Sequence, residues 1–390
     1  MGKVKINSEI SNDPFSRISP ALKKILLEGD VFIDVHSHVF NYRDVPDTFL
    51  GIRVPVNDRI LSTLENILHR INNSTDADKL SKLAYFIHFL KTRTTVEITE
   101  KLIDSSCEKN FVTCPLMVDM APGIKGKVID DFQIQIEKMR ALKNIFPLNI
   151  LPFLALDPNN PLIRENFQKV FARTGEYNFF GVKIYPSLGY LPSNPILMDL
   201  FRICEEKRIP VTAHCSGASV HTNKKQIVGI QGYHLVNDGS FSDLPLKKRF
   251  RKRADYAVFF NHPDNWIPVL EKFPELKLNL AHFGGDEAWK EYSTGKSGNW
   301  VNNIISLMAR FKNLYADFSY TLYDSASTNS LKNLITENPV VSKRVLYGSD
   351  YYMIVTEGHF RALKNNFSNI MGSEIMKQLT KENPMRFLFG

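Results

Sequence analysis

The residues with the clearest chemical potential in this sequence are two histidines separated by one residue, His36 and His38. They end the apolar, β-branched run VFIDVHSHVF over residues 31–40, whose composition is typical of a buried strand. Residues i and i+2 of a strand point to the same face, so the two imidazoles would lie side by side. Imidazole pairs suit a divalent ion such as zinc, but two ligands alone cannot hold one. The rest of the chain must therefore supply partners.

Four further residues with metal-binding or proton-transferring side chains stand at the ends of short apolar runs. They are Lys183, His214, His282 and Asp350. Together with the His-x-His pair, four of the ten histidines in the chain thus end predicted strands, which scattered surface histidines would not do. Asp350 would add a hard anionic oxygen that partly offsets a metal charge and accepts a proton from water. We therefore predict one site built from these six residues.

The elements that must position these residues alternate between strand and helix. Apolar runs predict eight strands, over residues 31–40, 111–119, 149–156, 180–185, 210–214, 277–282, 314–318 and 344–350. Eight strands alternating with helices favour an α/β fold of the (β/α)8 TIM-barrel type, in which catalytic residues collect at the carboxyl ends of the strands. An open doubly wound sheet is the structural alternative. It would need a glycine-rich phosphate turn after strand 1, where this chain has His-Ser-His.

We predict a single domain over residues 1–390 with two departures from a regular barrel. Leucine and isoleucine at helical spacing over residues 58–71, 76–90 and 96–109 predict a helical insertion at 41–110, which would lie over the catalytic mouth. A long loop after strand 5 fills residues 215–261. It carries a basic patch at 247–253, which would steer an anionic substrate, form an oligomer contact, or be an ordinary solvated surface.

Composition excludes several classes of function. The chain is 43% hydrophobic and 23% charged, as in globular proteins, and it contains no apolar run of 18 or more residues, so no membrane span is expected. Its first 30 residues lack the apolar segment of a signal peptide. Four widely spaced cysteines without a Cys-x-x-Cys motif indicate reduced thiols and a cytoplasmic location. Although the net charge is +8, the basic patch lacks aromatic interleaving, so we expect no nucleic-acid partner.

The ordered set His-x-His, Lys, His, His and Asp on predicted strands 1, 4, 5, 6 and 8 resembles the amidohydrolase superfamily, especially its amidohydrolase-related (amidohydrolase 2) branch. Two other stretches are similar to that branch: FPEL at 273–276 before AHFGG at 281–285, and ENPMR at 382–386. The similarity covers about residues 30–390. It implies a metal-dependent enzyme with a small-molecule substrate, and a homodimer as the oligomeric state.

The resemblance also implies roles for the individual residues. The His-x-His pair and Asp350 would hold one divalent ion, most naturally Zn²⁺, and His214 and His282 would hold a second ion or polarise the substrate. In binuclear relatives the lysine equivalent to Lys183 is carboxylated, and its carbamate bridges two ions. With a single ion, Lys183 would stay a free amine that binds a substrate carboxylate.

We therefore expect a metal-dependent hydrolase in which metal-bound hydroxide attacks the carbonyl carbon of a small ester, lactone or amide, neutral or anionic. Asp350 and His282 would be the catalytic residues. The alternative is non-oxidative decarboxylation of a carboxylated ring compound, which the same branch performs with one metal. A third reading, from another class, is a barrel that has lost catalysis and serves as a binding or scaffold protein. The intact ligand set argues against it.

Further polar residues near the predicted strand ends are candidates for substrate contact. Tyr185, Ser216 and Tyr351 are the ones we predict to line the substrate site. Asp119 and Asp157 follow strands 2 and 3, but Asp157 precedes a proline and equally signals a turn. Asp317 ends strand 7, where an ordinary structural role is the favoured reading.

Overall fold

The computed structural model describes residues 10–49, 82, 85–91, 93–172, 179–224, 226–236, 239–243, 245–252, 254–351 and 353–390. Within these ranges the strands are β1 (Phe32–Ser37), β2 (Phe111–Pro115), β3 (Phe153–Ala155), β4 (Gly181–Ile184), β5 (Val211–Ser216), β6 (Ile227–Ile230), β7 (His234–Leu235), β8 (Phe241–Ser242), β9 (Leu246–Lys248), β10 (Leu278–Gly284), β11 (Leu314–Phe318) and β12 (Val345–Tyr347). Eight of them, β1–β5 and β10–β12, run parallel to their neighbours and correspond to the eight predicted strands.

These eight strands close into a barrel. Six of them form one sheet in the order β12-β11-β10-β5-β4-β3, and β1 pairs with β2. Parallel bridges from Thr113 to Ile150 and from Leu116 to Phe153 join β2 to the β3 segment, and a parallel bridge from Ser37 to Tyr351 joins β1 to the chain that follows β12. Each strand therefore has a neighbour on both sides, and the predicted TIM barrel is confirmed.

Helices cover the outside of the barrel. They are α1 (Pro20–Glu28), α2 (Thr95–Ser106), α3 (Phe132–Ile145), α4 (Ile163–Phe171), α5 (Pro195–Glu206), α6 (Ala254–Phe260), α7 (Ile267–Lys272), α8 (Asp286–Ser293), α9 (Trp300–Arg310), α10 (Ser325–Glu337), α11 (Pro339–Ser342), α12 (Phe360–Met371), α13 (Ser373–Lys377) and α14 (Asn383–Leu388). Most bury one apolar stripe against the strands and leave the opposite face to water, which is the pattern expected of surface helices. None of the described helices has the length and apolar character needed to cross a membrane.

The amino end of the barrel is closed by apolar residues from both ends of the chain. Leu22 and Leu26 on α1 are buried in one cluster with Phe387 on α14. Phe15 stacks on Phe389 with ring centroids 4.6 Å apart. Ser19 caps α1 by accepting a hydrogen bond from the Leu22 backbone amide, which fixes where that helix begins. With this end sealed, the carboxyl end of the strands is left for a site.

The described part of the predicted insertion is helical. Helix α2 begins with a capping box, in which Thr94 and Glu97 satisfy each other's backbone amides, and residues 85–91 are also helical. The helix predicted over 58–71 lies outside the described residues, as does most of the one predicted over 76–90. Phe86, in the segment 85–91, is buried and reaches the cavity described below.

The segment after β5 differs from the long loop that we predicted over 215–261. It contains two small antiparallel sheets, β6 with β9 and β7 with β8, and then helix α6. The strands are short, and β6 is interrupted by Gly229 at φ +73° and a register shift between Ile227 and Ile230. Such interruptions remove the two-residue alternation by which a strand is recognised in sequence.

Candidate active site

Six predicted residues lie at the carboxyl ends of five barrel strands and are buried. They are His36, His38, Lys183, His214, His282 and Asp350, from or directly after β1, β4, β5, β10 and β12. We call His36, His38, His214, His282 and Asp350 the histidine cluster. The backbone is unusual at two of them, because His282 has φ +68° and Asp350 has φ +52°. Non-glycine residues adopt this conformation at a cost, and such strain is concentrated at functional sites.

Three atoms of the cluster converge on one point. The Nε2 atoms of His36 and His38 are 3.4 Å apart, and Asp350 Oδ1 lies 3.7 Å from the first and 3.5 Å from the second. Ligand atoms that each lie about 2.0–2.2 Å from a shared zinc ion in a tetrahedral arrangement are separated by roughly 3.4 Å. The spacing therefore matches a set of metal ligands.

Both histidines of this set are oriented through their other ring nitrogen. His36 Nδ1 lies 3.1 Å from Asp317 Oδ2, and His38 Nδ1 lies 2.9 Å from the carbonyl oxygen of Leu116. Since these oxygens only accept, each Nδ1 donates its hydrogen and each Nε2 keeps a lone pair. A hydrogen bond of this kind is what orients metal-binding histidines in proteins.

Asp317 connects this set to His282. One carboxylate oxygen of Asp317 accepts hydrogen bonds from the His282 backbone amide at 3.0 Å and from Ser319 at 2.5 Å. The other accepts from His36 and from Asn279 Nδ2, the latter at 2.7 Å. Our sequence reading favoured an ordinary structural role for Asp317 and did not single out Ser319 or Asn279. Their only signal was a polar pattern on two neighbouring strands.

The other two imidazoles form a pair beside the ligand set. His282 Nε2 lies 3.1 Å from His214 Nδ1, and His282 Nδ1 lies 2.8 Å from the hydroxyl of Ser319. Tyr185 stacks on His214 with ring centroids 4.3 Å apart and an angle of 21° between the ring planes. Stacking on Tyr185 and the hydrogen bond with His282 together fix the orientation of the His214 ring.

Burial keeps these imidazoles neutral. It lowers the pKa of His36, His214 and His282 well below the ordinary value, and it lowers the pKa of His38 to about 3. Nearby positive charge, including Lys183, adds to the effect. The close contacts between these rings and carboxylates are therefore not ion pairs. Neutral imidazole is the form that binds metals.

Lys183 and Asp350 are perturbed in opposite directions by the same burial. Burial lowers the pKa of Lys183 to about 8, against the attraction of Asp317 and Asp350. Burial raises the pKa of Asp350 to about 8, against the attraction of Lys183. A cation near Asp350 would reverse that shift, because a positive charge favours the ionised carboxylate.

The residues present fit a divalent ion. Among the six predicted site residues, three buried atoms find no hydrogen-bond partner in the described part of the chain: Asp350 Oδ1, His214 Nε2 and Lys183 Nζ. An unpartnered buried carboxylate oxygen or imidazole nitrogen costs free energy, which coordination of an ion would recover. Every His/Cys/Asp/Glu group with metal-ligand spacing in the described part of the chain contains His36, with His38 and Asp350 or with His282 and Asp317. In each group the donors are two imidazoles and one carboxylate, a set that zinc accepts.

A cavity of about 640 Å³ opens above the histidine cluster. The predicted residues His38, His214, His282, Asp350, Tyr185 and Ser216 all line it. Much of the rest of its wall is apolar, with Phe40, Phe49, Phe86, Met120 and Met353 among the lining residues. A small molecule with an apolar or aromatic body would fit beside the cluster.

Tyr351 is placed elsewhere, which corrects our prediction that it lines the substrate site. It is buried between Phe89 and Phe360 and borders a separate cavity of about 580 Å³. Asp350 and Tyr351 are consecutive, and residue 351 pairs with β1, so its side chain leaves the barrel while that of Asp350 enters it.

The structure does not choose between substrate steering, an oligomer contact and a solvated surface for the basic patch. Lys247, Arg249, Arg251 and Lys252 are exposed, whereas Arg253 and the side chain of Lys248 lie outside the described atoms. None of the described members lines the cavity above the cluster.

Comparisons with known proteins agree with this architecture. A sequence model of the family described as Amidohydrolase matches residues 150–390. No curated protein matches the chain. An uncharacterised TIM-barrel protein from Bordetella bronchiseptica shares 15% identity, with 92% of this chain and 98% of that chain covered and a TM-score of 0.51.

Two enzymes of known reaction have similar structures. A 5-carboxyvanillate decarboxylase from Novosphingobium aromaticivorans, solved with bound manganese, has 13% identity, covers 93% of this chain and 98% of its own, and has a TM-score of 0.52. A 2,6-dihydroxybenzoate decarboxylase has 13% identity, 93% and 99% coverage and a TM-score of 0.50. At this identity the likeness shows a shared fold.

Proposed function

Since the chain belongs to the Amidohydrolase family, whose model covers more than half of it, we propose that it is a metal-dependent hydrolase of small carbonyl compounds. The substrate would be an ester, a lactone or an amide, cleaved at its carbonyl carbon. The observation that carries the proposal is the convergence of His36 Nε2, His38 Nε2 and Asp350 Oδ1 within 3.7 Å of one another at the base of the cavity.

We assign a separate role in hydrolysis to the ligand set, to the Asp350 carboxylate and to the two remaining histidines. His36, His38 and Asp350 would hold a divalent ion, which when bound would lower the pKa of a water molecule and polarise a carbonyl oxygen. The carboxylate of Asp350, which lines the cavity, accepts the proton from the attacking water and passes it to the leaving group. His282 and His214 are neutral and line the cavity on the β5 and β10 side, where they contact the substrate.

Zinc is the ion that we propose, because imidazole and carboxylate donors at tetrahedral spacing suit it. With a second ion, Lys183 would act as a carbamate and His214 as a ligand. The lowered pKa of Lys183 supports this role, since only a neutral amine reacts with carbon dioxide. The single-domain organisation, the homodimer and the cytoplasmic location stay predictions from the sequence.

Decarboxylation of a carboxylated ring compound is the second candidate, and one feature favours it. The aromatic and apolar wall made by Phe40, Phe49 and Phe86 suits a planar ring. Two enzymes that share this fold are named as decarboxylases of ring carboxylates. In this reaction Asp350 or His282 would deliver the proton that replaces the carboxyl group.

Metal content of untagged protein purified without chelators tests the centre. We expect one or two ions per chain in the parent and near none in Asp350→Asn. His359→Ala, which alters an exposed histidine outside the cluster, should keep the parent content. Lys183→Ala measured with bicarbonate separates the one-ion and two-ion forms. A parent free of metal, or an Asp350→Asn protein that retains it, would contradict the proposal.

A matched pair of substrate panels then separates the two reactions. Phenyl esters and anilides report hydrolysis through release of a phenol or an aniline, and aryl lactones report it through ring opening to a hydroxy acid. Hydroxybenzoates of the same size report decarboxylation through release of carbon dioxide. Turnover that is confined to the benzoates and is lost in Asp350→Asn would replace the hydrolase by the decarboxylase.

A further inference from the structure

The hydroxyl group of Ser319 lies where three site residues meet. Ser319 follows β11, is fully buried, and is held by a tight turn in which the Thr321 amide donates to the Ser319 carbonyl oxygen at 2.7 Å. Tyr320, at the centre of that turn, has φ +61° and ψ −58°, a rare and strained conformation. The strain indicates that the surrounding structure holds Ser319 in place.

A count of hydrogens determines the direction of each bond. A serine hydroxyl has one hydrogen to donate and two lone pairs that accept. Ser319 Oγ has three close neighbours: Asp317 Oδ1 at 2.5 Å, His282 Nδ1 at 2.8 Å and His36 Nδ1 at 3.1 Å. Because the carboxylate only accepts, the hydroxyl hydrogen goes to Asp317, and His282 Nδ1 must donate to Ser319. The single Nδ1 hydrogen of His36 is shared between Ser319 Oγ and Asp317 Oδ2, each at 3.1 Å.

The hydrogen position on His282 then determines the hydrogen position on His214. With its hydrogen on Nδ1, His282 has a lone pair on Nε2 and accepts from His214 Nδ1 across 3.1 Å. His214 therefore has a bare Nε2, which agrees with the lack of any partner for that atom in the described structure. His36, whose Nδ1 also contacts Asp317, likewise has a bare Nε2.

We propose that Ser319 is a positioning residue that sets the tautomers of His282 and His214 together, so that His214 presents an unprotonated Nε2, and that it shares the orientation of His36 with Asp317. Without the hydroxyl, His282 Nδ1 would face no acceptor of its own. The ring would then favour the tautomer with hydrogen on Nε2 and donate to His214 Nδ1. The hydrogen of His214 would move to its Nε2, where it blocks coordination. His38 is independent, because its Nδ1 donates to the Leu116 carbonyl oxygen.

Nitrogen-15 NMR of the histidine rings tests this in metal-free protein. Protonated and unprotonated ring nitrogens have different shifts, so each tautomer is read directly. In the parent we expect hydrogen on Nδ1 of all four site histidines. In Ser319→Ala we expect His282 and His214 to change to hydrogen on Nε2, while His38 stays unchanged as an internal control.

Two more variants separate the hydroxyl from simple packing. Ser319→Cys keeps a side chain of similar size with a weak donor and acceptor, and should give the same tautomer change as Ser319→Ala. Ser106→Ala removes another fully buried hydroxyl, which donates to the Ile103 carbonyl oxygen far from the cluster in the chain, and should change none of the four rings. Unchanged rings in both Ser319 variants, or the same change in Ser106→Ala, would overturn the proposal.

Cobalt titration gives the second readout, which rests on the proposed metal centre whereas the NMR does not. Loss of a partner that orients a ligand lowers metal affinity by roughly 10–100-fold. We expect that loss for Co²⁺ in both Ser319 variants, followed by visible absorption, and none in Ser106→Ala. Tautomers that change without loss of Co²⁺ affinity would overturn the link to the metal site. Failure of the parent to bind Co²⁺ would count against the proposed function instead.

Discussion

The histidine cluster and a second pair of buried acids, Asp119 and Asp157, both lie beyond the carboxyl ends of barrel strands. We call these two acids the carboxyl pair. Burial raises the pKa of Asp350 in the cluster to about 8, and it raises the pKa of Asp157 to about 7 and that of Asp119 to about 6. Judged by position, burial and pKa alone, the two regions would be equal candidates for a site.

The histidine cluster and the carboxyl pair differ in their hydrogen bonds. Asp119 accepts from Asn160 Nδ2 at 2.6 Å, and Asp157 Oδ1 accepts from the backbone and side-chain nitrogens of Asn159 at 2.8 and 2.9 Å. The Asp157 bonds are local and form a turn, and one atom of the pair, Asp157 Oδ2, has no partner among the described residues. In the cluster, by contrast, residues from separate strands direct bare nitrogen and oxygen atoms at one point. A site is thus distinguished by several donor atoms that converge on one point, rather than by buried charge or by a single unpaired atom such as Asp157 Oδ2.

We expect the largest effect, a loss of kcat/KM, when one acid is removed from each region in turn. Asp350→Asn should lower kcat/KM by roughly 10²–10⁴-fold, because it removes both a metal ligand and the proposed proton acceptor. Asp157→Asn should stay within a few-fold of the parent. Steady-state kinetics with the substrate from the hydrolysis panel measures both. Equal losses in the two variants would show that the carboxyl pair takes part in the reaction.

The carboxyl pair should instead be visible in the pH dependence of stability. Because burial raises the pKa of Asp157 from 3.8 to about 7, the folded protein holds this proton more tightly than the unfolded chain. The resulting stabilisation is complete below pH 4 and is lost as the pH rises through 7, a decline of at most about 4 kcal/mol. Asp157→Asn cannot titrate, so its free energy of unfolding should fall less from pH 5 to pH 8.

Urea unfolding at pH 5, 6, 7 and 8 provides the measurement. Relative to the parent, Asp157→Asn should gain stability as the pH rises. Asp199→Asn, at an exposed residue paired with Arg164, should keep a constant difference from the parent over this range. A constant difference for Asp157→Asn as well would mean that its carboxyl group titrates alike in the folded and unfolded states.

The next prediction concerns Asp317, the carboxylate that orients the side chain of His36 and the backbone of His282. Each of its carboxylate oxygens accepts two hydrogen bonds, from the His282 amide and Ser319 on one side and from His36 and Asn279 on the other. An asparagine would place an amide nitrogen against two donors in either orientation. Asp317→Asn should therefore weaken Co²⁺ binding by roughly 10–100-fold. Asp119→Asn alters a buried acid that accepts from Asn160 Nδ2 and from the Ala121 backbone amide, so it is the matched control and should bind as the parent does.

Local patterns explain what could be predicted from the sequence. The spacing of His36 and His38 places both rings on one face of β1, and their Nε2 atoms do meet at 3.4 Å. The predicted strand over 149–156 is shorter in the structure, Phe153–Ala155, because Pro152 has no amide hydrogen for the ladder. Periodicity thus predicted the barrel and the ligands, while strand ends depended on single residues.

The parts that sequence could not reveal depend on how distant strands align. Leu280 on β10 pairs with Ala316 on β11, and this register brings Asp317 to the His282 amide. Likewise, Asp34 on β1 accepts hydrogen bonds from the backbone amide and hydroxyl of Ser349, beyond β12. These residues are far apart in the chain, so no local spacing records the contact. The acceptors that orient the cluster were for this reason missed or undervalued.

The smallest expected effect is a change in KM that shows whether Tyr185 or Tyr351 belongs to the substrate site. Tyr185 stacks on His214, whereas Tyr351 packs against Phe89 and Phe360 beside another cavity. An aromatic pair contributes about 0.5–1.5 kcal/mol beyond area burial, so Tyr185→Leu should raise KM by roughly 2–10-fold. Tyr351→Leu should lower the melting temperature and leave KM within about twofold. If Tyr351→Leu raised KM as much as Tyr185→Leu, the second cavity would be coupled to the first, and Tyr351 would belong to the substrate site.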